Sequence, residues 1–340
     1  MNQSESKYKS FICIIILIFY SLNCNVLAQE FKIEQTIDQT KKPHIEWIKT
    51  WPSSIKNQKS IKLKDRLNLF FFGIKTPKLI NPVAIFANNP KDFWVVDQGG
   101  KTLFQVQNDN GLIPKSFLKS DKELSSLVSI CSGSNSNLYF TDSQSNKIYR
   151  INKDKKKLEI LNDTFILEQP TGIAYLPGKK ELWVVETKKH CITVLNENGQ
   201  FLKRIGKRGI EKGEFNYPTH IWIDNNGLIY ITDAMNFRIQ ILNSEGEVIT
   251  VFGESGDVTG FLARPKGIAT DTFENIYVVD ALFHVVQVFD KKGIFLYKFG
   301  SQGHENAEFW IPSGIYIDNQ NYIYIADTYN SRVQIFQLQY

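Results

Sequence analysis

From residue 82 onward, short runs of alternating apolar and polar positions are bounded by Asn, Asp, Gly or Pro. A period of two, rich in β-branched and aromatic residues, predicts strands rather than helices. The most regular runs each end in an acid: FWVVD97, LYFTD142, LWVVE186, IYITD233, IYVVD280 and IYIAD327. Successive acids lie 45, 44, 47, 47 and 47 residues apart. Before each comes an opening position, Pro82, Leu127, Pro170, Pro218, Pro265 and Pro312. After each comes a third apolar run, from LFQV and IYRI to RIQIL and RVQIF. A fourth run, FLKRIG, VITVFG or FLYKFG, completes the clearer units. Turn-forming stretches such as DNNG (224–227) and NSEG (243–246) supply residues that tolerate positive φ between them. Six four-stranded units of this length, set around an axis, predict an all-β fold. The expected architecture is a six-bladed β-propeller of four-stranded antiparallel blades over residues 82–340.

The chain ends on the third run of its sixth unit, so the last blade must borrow its fourth strand from the N-terminal side. Otherwise the ring would expose open edges. HIEWIKTW (44–51) and RLNLFFFG (66–73) both qualify. Leu63, Leu67, Phe70 and Phe71 stand at helical spacing. The preferred assignment therefore makes 44–51 the closing strand and 60–72 a short capping helix, within an N-terminal extension of residues 29–81.

Residues 1–28 carry a different pattern. Lys7 and Lys9 precede the apolar run FICIIILIFYSL (11–22), and Val26 and Ala28 supply small residues before Gln29. This describes a cleaved secretory signal. A lipid-modified Cys24 is the alternative, and an uncleaved anchor a third reading; each exports the body to the periplasm or cell surface. Cys131 and Cys191 are the two cysteines of the body and fall in different units, so no disulfide framework is expected. With 40 basic and 35 acidic residues, the charge excess is too slight to argue for nucleic acid.

YPTHIWIDNNGLIYITDAMNFRIQIL, RPKGIATDTFENIYVVDALFHVVQVF and IPSGIYIDNQNYIYIADTYNSRVQIF resemble NHL repeats, and GKRGIEKGEFNYP resembles the glycine-rich connections between NHL blades. The likeness covers about residues 80–340 and is weakest in the second unit, which lacks the opening Pro-x-Gly. The whole is similar to exported six-bladed NHL proteins of bacteria. The acids, with Arg238 and Arg332, are expected to join blades. Gly172, Gly267 and Gly314 are expected to let crowded inner strands pack closely.

Departures from the repeat carry the functional expectation. His220 replaces the glycine of the opening strand, and Lys266 stands one residue earlier in its own unit. The same face is expected to present Phe215, Tyr217, Phe237, Phe283, His284, Trp310 and Tyr329, aromatics suited to binding. The expected function is an exported, non-catalytic binding or scaffold module. It would be monomeric, dock a protein or envelope glycan, and need no cofactor. It would not bind nucleic acid, and would touch membrane only through an N-terminal anchor.

The alternative is a metal-assisted lyase or hydrolase at the channel mouth. Some NHL-type propellers, the peptidylglycine amidating lyases, hold zinc with several histidines, and a catalytic zinc needs about three converging ligands. His190, His220 and His284 come from successive units but occupy different positions within them. No nucleophile elbow, phosphate loop or Ser-His-Asp order appears. Lys207, Arg208, Lys212, Arg264 and Lys266 suggest at most steering toward an acidic partner.

Overall fold

Each repeat unit forms one four-stranded sheet, and six such sheets are present in a computed structural model that describes residues 44–52, 78–107, 112–114, 124–152 and 157–339. The segment expected to be a signal, with Cys24, the expected helix 60–72 and the rival strand 66–73 lie outside the described residues.

Blade four shows the pattern. Its strands run Pro218–Ile223, Ile229–Asp233, Arg238–Leu242 and Val248–Phe252, each antiparallel to the next. Ile229 to Asp233 are all buried, whereas the fourth strand is half-exposed. The reason is geometric: a blade is covered on both faces by its neighbours, so its middle strands lose alternation and become continuously apolar. The hairpin between the third and fourth strands is held by Asn243, whose Oδ1 accepts the N–H groups of Glu245 (3.0 Å) and Glu247 (2.9 Å). Gly246 there takes φ 96°, a conformation that strains residues with a Cβ. On the other hairpin, Asp224 Oδ1 accepts from Asn226 and Leu228 while its Oδ2 accepts the Tyr230 hydroxyl. Asp271 with Tyr277 and Asp318 with Tyr324 repeat that arrangement in blades five and six.

The first strand of every blade packs against the first strands on either side, and blade six returns to blade one. These strands crowd the axis. A Cβ built on Gly267 would lie 2.7 Å from both Ile315 N and Ser313 O, so glycine is required by the approach of the next strand.

Blade six completes itself with His44–Trp51, which hydrogen-bonds along Arg332–Gln339. Trp51 is buried in the cluster between blades six and one, with Phe93, Tyr324, Val333 and Ile335. Its ring meets Phe93 edge-on at 6.3 Å. Burying a large apolar side chain contributes roughly 2–3 kcal/mol, so this strand joins the ring through packing as well as backbone bonds.

The acids that close the second strands are fully buried, and Asp233 and Asp327 pair with Arg238 and Arg332 while bonding the incoming linker. Asp327 accepts Trp310 N (2.8 Å), Arg332 Nε (2.7 Å) and Asn330 Nδ2 (2.9 Å), and Asp233 does the same with Asn216, Arg238 and Asn236. Arg238 in turn donates to the carbonyls of Ile210, Glu211 and Glu214. Asp233 and Asp327 thus fasten their own blades to the linkers arriving from the blades before them.

Candidate functional site

Strand alternation divides the first strands into two faces. Ile85, Ile130, Ile173, Ile221, Ile268 and Ile315 occupy one level around the ring and are all buried. The residue before each forms a level of small side chains, Ala84, Ser129, Gly172, Gly267 and Gly314, broken only by His220. His220 therefore lies inside the channel rather than on the outer surface of its mouth. A cavity of ≈160 Å³ is lined there by residues of all six blades, His220 among them. His220 keeps some accessible surface within the cavity, though it is enclosed by the ring. Burial, reinforced by the charge of Lys266, pushes its pKa down to about 3, so the imidazole is neutral at ordinary pH. Its Nδ1 bonds Thr219 Oγ1 at 3.0 Å. Burial, then Arg264, also lowers the pKa of Lys266, which is partly exposed one residue before Gly267.

Two positions further along the first strands, the channel is crossed by aromatic rings that sequence reasoning missed. Trp222 of blade four meets Tyr316 of blade six edge-on at 5.4 Å, and Tyr316 meets Phe86 of blade one at 5.5 Å. The Trp222 indole N–H donates to Thr270 Oγ1 in blade five at 2.9 Å, fixing the ring against the neighbouring blade. Trp222 and Tyr316 also line a second cavity of ≈380 Å³, bordered by Asp224, Asp271 and Asp318 on the far side. The rings therefore partition the channel. The signal was present in the sequence: these residues stand two after the small-residue level, and so share its face.

The remaining expected site residues separate into four groups. Phe215 is fully buried between blades three and four, and so departs from the binding-face expectation. It belongs to a repeated series with Leu262 and Phe309, each 0% exposed and each bridged to its own linker. His284 and Trp310 are bound into the fold: His284 Nδ1 accepts Ile311 N at 3.0 Å, and Trp310 lies between His304 (5.1 Å, stacked) and His284 (5.9 Å). Phe237 and Phe283 are half-buried at the turns after their second strands. Tyr217 and Tyr329 are exposed.

Two exposed residues not singled out earlier join Tyr329. The position two beyond each closing acid is Gly99, Gln144 and Lys188 in blades one to three, but Met235, Leu282 and Tyr329 in blades four to six. Those three are 54%, 59% and 61% exposed. Equivalent positions of a ring share one face, so this is an apolar arc on the side where linkers arrive. Arg208 and Arg264 are exposed on the linkers of the same side.

The three histidines considered for a metal do not converge. His190 Nδ1 accepts Tyr217 N at 3.0 Å, as His284 does from Ile311, while His220 faces the channel. Among the described residues no three His, Cys, Asp or Glu are placed to hold one ion. Cys131 and Cys191 are unpaired thiols, both pushed up in pKa chiefly by burial.

Comparison with known proteins agrees with this architecture. Residues 158–246 match a family described as 6-bladed beta-propeller, and residues 309–336 match the NHL repeat. No curated protein matches the chain. Among solved structures, an auxiliary nutrient binding protein from Bacteroides thetaiotaomicron is 14% identical, with a TM-score of 0.61 over 77% of this chain and 70% of its own. A related auxiliary nutrient binding protein from Bacteroides ovatus is 15% identical, with a TM-score of 0.60 over 77% and 70%. Virginiamycin B lyase from Staphylococcus aureus is 16% identical, with a TM-score of 0.58 over 78% of this chain and 99% of its own. At such identities the likeness is one of fold.

Proposed function

We propose that this propeller is an exported, non-catalytic binding module that docks a protein or an envelope glycan on the face where the linkers arrive. The observation that carries the reading is the asymmetry between Met235, Leu282 and Tyr329 and their small or polar counterparts in blades one to three. Three large apolar side chains exposed at the equivalent position of three consecutive blades are costly to solubility and suit an interaction surface. Tyr217 and the His304–Trp310 stack extend the arc with rigid rings, the residue types that anchor interfaces. Arg208, Arg264 and Lys188 stand among exposed Glu211, Glu254, Asp257 and Glu305, so the charge around the arc is mixed. Export rests on the pattern of residues 1–28, with the periplasm or cell surface as destination; no helix among the described residues is long and apolar enough to cross a membrane.

The test is in-cell crosslinking of the tagged chain beside a Leu282→Lys, Tyr329→Lys variant, with mass spectrometry of captured proteins and glycans. Both substitutions are at exposed positions, so folding should be unaffected. A protein or glycan captured by wild type and lost by the variant supports the reading. Equal capture by both overturns the assignment of the face.

A further inference from the structure

We propose that the part of the channel between His220 and the Trp222–Tyr316 pair is a binding site for one uncharged aromatic ring bearing a hydroxyl group, a phenol in its simplest form. This is independent of the docking face, which concerns a macromolecule on the outer surface.

Size comes first. The cavity of ≈160 Å³ is close to the ~150 Å³ apolar cavity that accepts a benzene molecule in an engineered protein. The repeat cannot close it from within, because Gly172, Gly267 and Gly314 occupy its small-residue level. A Cβ on Gly267 would strike the backbone of the next blade, and one on Gly172 would lie 2.9 Å from Ile221 N. The void follows from how closely the inner strands approach.

Its walls then select the ligand. Trp222 and Tyr316 stand edge to face at 5.4 Å, and a third ring entering beside them would extend the contact at the 4.5–7 Å spacing aromatic pairs prefer. On the other side, Thr219 occupies His220 Nδ1, which leaves Nε2 to bond a ligand hydroxyl. The imidazole is neutral, and the charge of Lys266 disfavours a cation beside it. Lys266 does not line the cavity, so an anion there would lose its hydration without a charged group in contact with it. Cys131, also on the wall, is held as a neutral thiol by burial. The cavity therefore suits an uncharged ring with one polar handle.

Phenol, toluene, benzoate and benzylammonium are titrated against the full chain by calorimetry and ligand-observed NMR. Phenol should bind saturably at one site, with toluene about three- to tenfold weaker for want of one hydrogen bond. Both charged rings should be weaker still. Ala84→Phe places a ring in the cavity and should weaken phenol binding at least tenfold; Ser129→Leu serves the same purpose if that variant does not fold. His220→Gly restores the residue common at this level and should reduce phenol to the affinity of toluene. Absence of saturable phenol binding to wild type, or unchanged binding in a folded, cavity-filled variant, overturns the site. An unchanged phenol-to-toluene ratio in His220→Gly overturns the role of the imidazole.

Discussion

His284 Nδ1 accepts the backbone N–H of Ile311 at 3.0 Å, a bond from the turn of blade five to the residue before Pro312 in blade six. His190 makes the same bond to Tyr217 at 3.0 Å, and Asn146 Oδ1 makes it to Gln169 at 2.8 Å. All three recipients, Gln169, Tyr217 and Ile311, hold φ values of 55°, 47° and 48°. Arg264 stands at the same place, but the preceding turn offers Phe237, which has no acceptor, and Arg264 is not in the left-handed region. An acceptor on one blade thus accompanies an uncommon backbone conformation on the next. His284, expected on a binding face, thus has a structural role through its Nδ1.

Replacing His284 by alanine should leave Ile311 N–H without its partner and destabilise the fold by about 1–3 kcal/mol. His284→Asn should recover much of that loss, since Asn146 already serves this role in blade two. Urea unfolding of the two variants beside wild type measures both effects. Equal losses in the two would contradict the assignment.

These bonds also set a pH dependence. An accepting Nδ1 must carry no proton, and burial lowers the pKa of His190 and His284, with Arg208 adding to the effect at His190. Burial with Lys266 lowers that of His220 to about 3. A histidine whose folded pKa lies below its unfolded value near 6.5 is protonated first in the unfolded chain. The stability it contributes is complete above about pH 6.5 and is lost as pH falls toward the folded pKa. For His220 the loss should approach about 1.4 kcal/mol per pH unit between roughly pH 6 and 4. Unfolding free energies measured from pH 7.5 to 4 should fall less steeply in His220→Gly than in wild type.

Glycines of the ring should differ sharply in tolerance. Gly267→Ala forces a Cβ to 2.7 Å from two backbone atoms of blade six and should cost about 1–3 kcal/mol or more. Gly178 lies in a hairpin with nothing within 4 Å of its built Cβ. Its replacement by alanine should be neutral or stabilise by up to ~1 kcal/mol through the unfolded chain. Thermal unfolding of the pair provides the comparison.

Closure of the ring depends on a residue far from the repeats in sequence. Trp51→Ala empties part of the core between blades six and one and should cost about 3–5 kcal/mol, while His44→Ala, on an exposed position of the same strand, should stay within ~0.5 kcal/mol. Increased hydrogen exchange confined to blades six and one in Trp51→Ala would locate the damage; uniform exchange across all blades would show that the ring opens as one unit.

The sequence by itself determined the six units, their four strands and the origin of the closing strand, because apolar period, turn residues and edge avoidance are local or follow from counting strands. His220 was legible for the same reason, as a break in a regular column. Other positions depended on what the neighbouring blade provides. Phe215 reads as a loop aromatic, yet the next blade covers it; His284 reads as a surface histidine, yet an N–H of blade six meets its ring. Trp222 and Tyr316 look like ordinary strand residues and become a partition only when blades four and six bring their rings together. Chain-local periodicity fixes how each blade forms, whereas burial and partnership across 27 to 94 residues arise only when the ring brings separate blades into contact.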